Sequence, residues 1–144
     1  MITIIATIRP EHLKNIRAGL KSIEIRKTVP KEIPFRVLCC ESGSGGRITC
    51  EFTVADVKKD IGSRERRQNA YALAPYMSER ACVPWSWICE YAGDKPFYAW
   101  FISGVVDYCG TQGNQTHHIS EFGLKRPPQS WCYVKEESLQ WAKM

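Results

Sequence analysis

Three ionisable side chains gather in the stretch GLKSIEIRK, residues 19–27: Lys21, Glu24 and Arg26. A carboxylate flanked by two cations suits two kinds of chemistry. It can grip a phosphate, or the donor and acceptor edge of a nucleobase, through charge-assisted hydrogen bonds. Alternatively, a lysine held neutral can attack a carbonyl carbon. Neutrality requires lowering a reference pKa of about 10.4, which a nearby arginine favours and a nearby carboxylate opposes. A Lys21 dominated by Glu24 is therefore better suited to binding an anion than to attack. Against both readings stands a plain exposed ion pair: Glu24 and Arg26, roughly 7 Å apart along one face of a strand, would contribute no more than about 1 kcal/mol.

The elements that must position these residues are legible in the flanking pattern. ITIIATI (2–8) is β-branched and reads as a buried strand. Pro10 suits a first helical turn, Leu13, Ile16 and Leu20 recur at helical spacing, and Gly19 marks a stop, which predicts a short amphipathic helix over 10–18. The alternation of Ile23 and Ile25 with Ser22, Glu24 and Arg26 predicts a second strand ended by Pro30. FRVLCCE (35–41) reads as a third. SGSGG (42–46) supplies a turn into the alternating RITCEFTVADV (47–57), so a hairpin is expected.

Residues 58–69, KKDIGSRERRQN, read as an exposed polar loop or frayed helix. SERACVPWSWICEYAG (78–93) reads as a helix whose main segment begins or kinks at Pro84. PFYAWFISGVVDY (96–108) should be a central strand, TQGNQT (111–116) a loop, and 130–134 a last strand before a helical turn in KEESLQWAKM. About six strands and two helices, without a long strand–helix alternation, predict a single α+β domain over 1–144, mainly antiparallel and barrel-like.

Composition narrows the function classes. The chain of 144 residues carries a formal net charge of +5, which permits phosphate-rich partners. Arg64, Arg66 and Arg67 form the densest basic cluster, either a solvated face or a set of phosphate contacts that would position a nucleic acid without reading it. The glycines of 42–46 do not make a nucleotide loop, because a strand rather than a helix follows and no Ser or Thr succeeds Arg47. His117 and His118 are consecutive and diverge in an extended chain, so they read as surface histidines rather than as metal ligands. The seven cysteines include no CxxC pair and no zinc-ligand spacing, so reduced, buried thiols are expected and no metal or cofactor is implied. Cys39 and Cys40 should point to opposite sides of their strand. Trp85, Ile88, Cys89 and Ala92 share a core-facing helical stripe; Trp87 lies off it and, with Tyr91, offers a face on which a base could stack. Without an apolar span or a leader pattern, the expected location is the cytoplasm, with no membrane partner.

The spacing Gly19, Lys21, Glu24, Arg26 resembles the GxKxxExR signature of the ASCH domain family, a branch of the PUA-like superfamily, and the tail SEFGLKRPPQSWCYV is similar to tails in a subset of that family. The resemblance implies a small β-barrel capped by helices, with a cleft containing the signature, and binding of RNA or another nucleic acid. Some members are instead amidohydrolases that remove the acetyl group from N4-acetylcytidine; in these the signature lysine, here Lys21, is the nucleophile, and a threonine stands where this chain has Glu24. Their further glutamate would fall in the helical region of Glu79 and Glu90. The leading expectation is binding of nucleic acid or a nucleotide-like ligand, with contacts from Lys21, Glu24, Arg26, Arg64, Arg66 and Arg67. The alternative is deacylation of a modified nucleoside, with Lys21 as nucleophile and Glu24 as general base. No helix-turn-helix pattern supports reading of duplex DNA.

Overall fold

The computed structural model describes residues 1–60, 67, 73–109, 115–135 and 137–139. Its strands are β1 (Ile2–Ile8), β2 (Ile23–Arg26), β3 (Phe35–Glu41), β4 (Arg47–Asp60), β5 (Phe97–Asp107), β6 (His117–His118) and β7 (Trp131–Tyr133). The helices are α1 (Pro10–Arg17), α2 (Leu73–Ala81) and α3 (Trp85–Ala92), with a 3-10 turn at Ile119–Phe122. The seven strands among the described residues join one sheet in the order β2-β5-β4-β3-β1-β7, with β6 on the start of β4. Antiparallel pairing dominates, and β1 beside β3 is the parallel pair. This is the α+β, barrel-like architecture that the strand pattern predicts.

Period-2 patterning explains the curl. Ile4, Ala6 and Ile8 of β1, Phe35, Val37 and Cys39 of β3, and Cys50, Phe52 and Val54 of β4 point to one core, which Leu13 and Ile16 of α1 close. Their neighbours Ile5, Leu38, Cys40 and Ile48 enter a second cluster on the opposite face, under Ile119 and Phe122. A sheet buried on both faces must be covered on both, and register shifts in β4 against β5 let this long strand bend to allow it. Cys39 and Cys40 thus fall on opposite faces, and none of the seven cysteines forms a disulfide.

A third cluster holds α2 and α3 against β2 and β5. It contains Ile23 and Ile25 with Met77, Ala81, Ile88, Ala92, Phe97 and Ala99. The isoleucines of β2 therefore sit beneath the helices, and the alternating charges Glu24 and Arg26 face the inside of the curled sheet instead of water. That corrects the reading of these two as an exposed pair: Glu24 is 7% and Arg26 9% exposed.

Two boundaries are also sharpened. Of the two roles expected for Pro84 within 78–93, the structure shows the first: Pro84 lies in extended backbone (φ −62°, ψ 146°) as the residue preceding α3, and the residues up to Ala81 belong to the separate helix α2. β4 runs on to Asp60, beyond the predicted end at 57, because Asp56–Asp60 pair with Phe97–Phe101 of β5.

Candidate functional site

The site begins at the end of α1. Gly19 has φ +77°, a left-handed conformation natural to glycine, and the amides of Gly19, Leu20 and Lys21 return to the carbonyls of Ile16 and Asn15. This tight exit turns the chain so that Lys21 enters the interior, where it is 3% exposed. Its ammonium donates to the carbonyl oxygen of Ala81, the last residue of α2, at 2.5 Å. A helix C-terminus leaves carbonyls without intrahelical donors and carries the negative end of the helix dipole, so a cation is favoured there. The Ser22 amide bonding to the Arg80 carbonyl at 2.8 Å clamps the same junction.

Glu24 lies between the two cations. One carboxylate oxygen is 3.7 Å from the Lys21 ammonium and the other 3.3 Å from the Arg26 guanidinium. Arg26 also donates to the Thr7 carbonyl at 3.0 Å and to the Ser130 hydroxyl at 3.1 Å, with its guanidinium 5.8 Å from the centre of the Trp100 ring. β2 and β7 are the two ends of the sheet path, so Arg26 ties one end to β1 and to the residue preceding β7 near the other. Most of its donors are committed to this closure. Burial lowers the Lys21 pKa from its ordinary value of 10.5, against the opposing pull of Glu24.

These residues floor a cleft of about 360 Å³ between α1, α3 and the segment before β7, within the range of small-ligand sites. Lys21, Glu24 and Arg26 line it with His12, Trp87 and Tyr91. Trp87 and Tyr91, one helical turn apart on α3, stack at 5.0 Å with an interplanar angle of 9°, and Trp87 remains 43% exposed. The Lys27 ammonium sits over the Tyr91 ring at 4.7 Å, fixing the inner ring of the pair. Exposed Arg9 stands at the mouth, where no carboxylate among the described residues pairs with it. Trp85, by contrast, turns to the core against Phe97 and donates to the Arg67 carbonyl at 3.0 Å.

Arg67, the described member of the basic cluster, does not line this cleft. Arg67 is 2% exposed, bonded to Asp60 at 2.7 Å and donating to the carbonyls of Gly93 and Lys95. The expectation of a solvated phosphate contact there is therefore corrected: a guanidinium with its donors so engaged serves the joint between β4 and the α3–β5 turn. Arg64 and Arg66 lie outside the described residues. His117 pairs with Glu121 at 3.0 Å, and His118 caps the 3-10 turn by accepting from the Ser120 amide. Among the described residues no cluster of His, Cys, Asp and Glu could hold a metal ion, and no helix is long and apolar enough to cross a membrane.

Sequence reasoning missed His12 and Ser130. His12 follows Pro10 on a helix whose apolar stripe is Leu13 and Ile16, and one polar residue beside such a stripe looks like any solvated position. A usable signal was its place on the helix whose glycine stop delivers Lys21.

Comparison with known proteins converges on one family. The ASCH domain model matches residues 7–106. The fold is similar to that of the ASCH protein of Zymomonas mobilis, at 15% identity and TM-score 0.68, covering 98% of this chain and 93% of that one. A serine-to-alanine variant of that protein gives TM-score 0.72 at 15% identity, covering 98% of this chain and 94% of the other. A tyrosine-to-phenylalanine variant gives 0.69 at 15%, covering 99% and 97%. No curated protein matches the chain.

Proposed function

Because the chain belongs to the ASCH domain family, a PUA-like group associated with nucleic-acid binding, we propose that its cleft binds a single unpaired base, either in RNA or in a free nucleotide-like ligand. The observation that carries this reading is the pairing of a charged floor with an aromatic wall. Lys21 and Glu24 offer a donor and an acceptor within one cleft, and the stacked Trp87 and Tyr91 can be extended by a third planar ring. A base brings both halves together: a π-face for the wall and a polar edge for the floor. Arg9 at the mouth is the cation best placed for a phosphate. Arg26 orients Glu24 rather than contacting the ligand, since its guanidinium is engaged by Thr7, Glu24 and Ser130.

The test is a titration of the four nucleoside 5′-monophosphates and a short single-stranded RNA, followed by tryptophan fluorescence and repeated at rising salt. Wild type is expected to bind, and Trp87→Ala to weaken binding by about 1–3 kcal/mol, the worth of one base–aromatic stack. The same variant should melt within about 0.5 kcal/mol of wild type, because an exposed ring off the core stripe contributes little to folding. Absence of binding at low salt, or unchanged affinity in Trp87→Ala, contradicts the reading.

One observation favours the hydrolytic alternative. Burial lowers the Lys21 pKa, in the direction that makes an amine a nucleophile. Glu24 at 3.7 Å acts the other way, and the ammonium already donates to the Ala81 carbonyl. The binding reading therefore leads, and it predicts no release of acyl groups from N-acylated nucleosides. Turnover lost in Lys21→Ala reverses that order.

A further inference from the structure

His12 sits on the cleft wall with an unusual hydrogen-bonding state. Its Nδ1 is fully buried and has no partner among the described residues. His12 is one of the residues that line the cleft, and its other ring nitrogen, Nε2, makes no hydrogen bond with the described residues. Buried polar atoms in native proteins are nearly always satisfied, and an exception calls for a functional account. A neutral imidazole carries its proton on one nitrogen. With no acceptor beside Nδ1, the proton belongs on Nε2, which leaves an uncommitted donor on a residue that lines the cleft.

Resting on the base-binding reading of the cleft, we infer that His12 is a specificity residue whose Nε2–H donates to a ring-nitrogen or carbonyl acceptor on the bound heterocycle. The surroundings hold the ring in this state. Burial comes first and then Lys21, both disfavouring a second proton; Glu24 and Glu11 oppose them, and Arg9 adds the smallest push; the net direction is a pKa below the ordinary 6.5. A neutral donor discriminates as a charged one would not, since it gains from an acceptor but not from net negative charge alone. Three partners would then meet the planar ligand: the Trp87 ring on its face, the Glu24 carboxylate on a donor, and His12 on an acceptor.

The experiment uses the full chain and whichever nucleoside 5′-monophosphate binds wild type most tightly. His12→Gln keeps an N–H near the Nε2 position, whereas His12→Phe keeps the ring shape without it. The inference expects a loss of tenfold or more for His12→Phe and less than threefold for His12→Gln. It also expects His12→Phe to melt at or above the wild-type temperature, because an unsatisfied buried nitrogen is replaced by carbon. Nitrogen NMR of wild type should show the Nε2–H tautomer. Affinity within threefold in His12→Phe overturns the role of His12 and leaves the base-binding reading standing. Equal losses in both variants with lowered melting temperatures show a packing role and overturn it as well. No binding by wild type overturns both.

Discussion

Glu24→Ala will unfold more readily than wild type by about 3–5 kcal/mol, the cost typical of stripping one partner from a buried ionic network. Lys21 and Arg26, 3% and 9% exposed, would be left without the carboxylate that both contact at 3.7 and 3.3 Å. In a chain of this size the loss corresponds to a fall in melting temperature of roughly 10 °C or more, read by circular dichroism or calorimetry. Lys21 can relieve part of its share by releasing its proton, a direction in which burial already pushes it. Arg26 has no such escape, because a guanidinium stays protonated in proteins. Glu24→Gln, which keeps an acceptor but loses the charge, should fall between. A melting temperature within 2 °C of wild type for Glu24→Ala would mean that the triad is solvated and that the closed interior described above is wrong.

Arg67→Ala is expected to cost a similar amount, about 3–5 kcal/mol, through a different site. The guanidinium is 2% exposed, pairs with Asp60 at 2.7 Å, satisfies the Gly93 and Lys95 carbonyls, and lies 5.5 Å from the centre of the Phe97 ring. Its removal leaves Asp60 and two carbonyls without these donors. The decisive comparison is between stability and affinity. A structural Arg67 predicts a large drop in melting temperature with unchanged ligand affinity per folded molecule and an unchanged salt dependence. A phosphate contact predicts the reverse: normal melting and a shallower slope of affinity against salt.

These two residues show where the sequence speaks and where it is silent. Elements set by local signals were readable: α1 from Pro10, the Leu13–Ile16 stripe and Gly19, and β3 from the FRVLCCE stretch, which spans Phe35–Glu41 as expected. The partnership of Lys21, Glu24 and Arg26 was also readable, since alternation and a glycine exit are properties of a few neighbouring residues. What alternation cannot reveal is which of a strand's two faces meets water. β2 lies with its isoleucines under α2 and α3 and its charges inside the curl, so a pair that looked solvated is buried.

Arg67 was unreadable for a related reason. Its neighbours in sequence are polar, and its partners, the Gly93 and Lys95 carbonyls, come from a turn that only the tertiary fold brings near. The cleft wall is an intermediate case. Trp87 was separable from the core stripe by helical spacing, but its stacking on Tyr91 and its position over the signature residues follow from how α3 packs on β2 and β5. For His12 the sequence offers only its place on the helix that delivers Lys21; its buried nitrogen without a partner is visible only once every neighbour is placed.

The most direct test of the central claim is a crystal structure of the wild-type chain soaked with the nucleoside 5′-monophosphate that binds it best. The account predicts the base lying against Trp87, its edge within hydrogen-bond distance of the Glu24 carboxylate or the Lys21 ammonium, and its phosphate directed toward Arg9. A cleft that stays empty at saturating ligand, or a nucleotide bound elsewhere on the surface with Trp87 untouched, would contradict it.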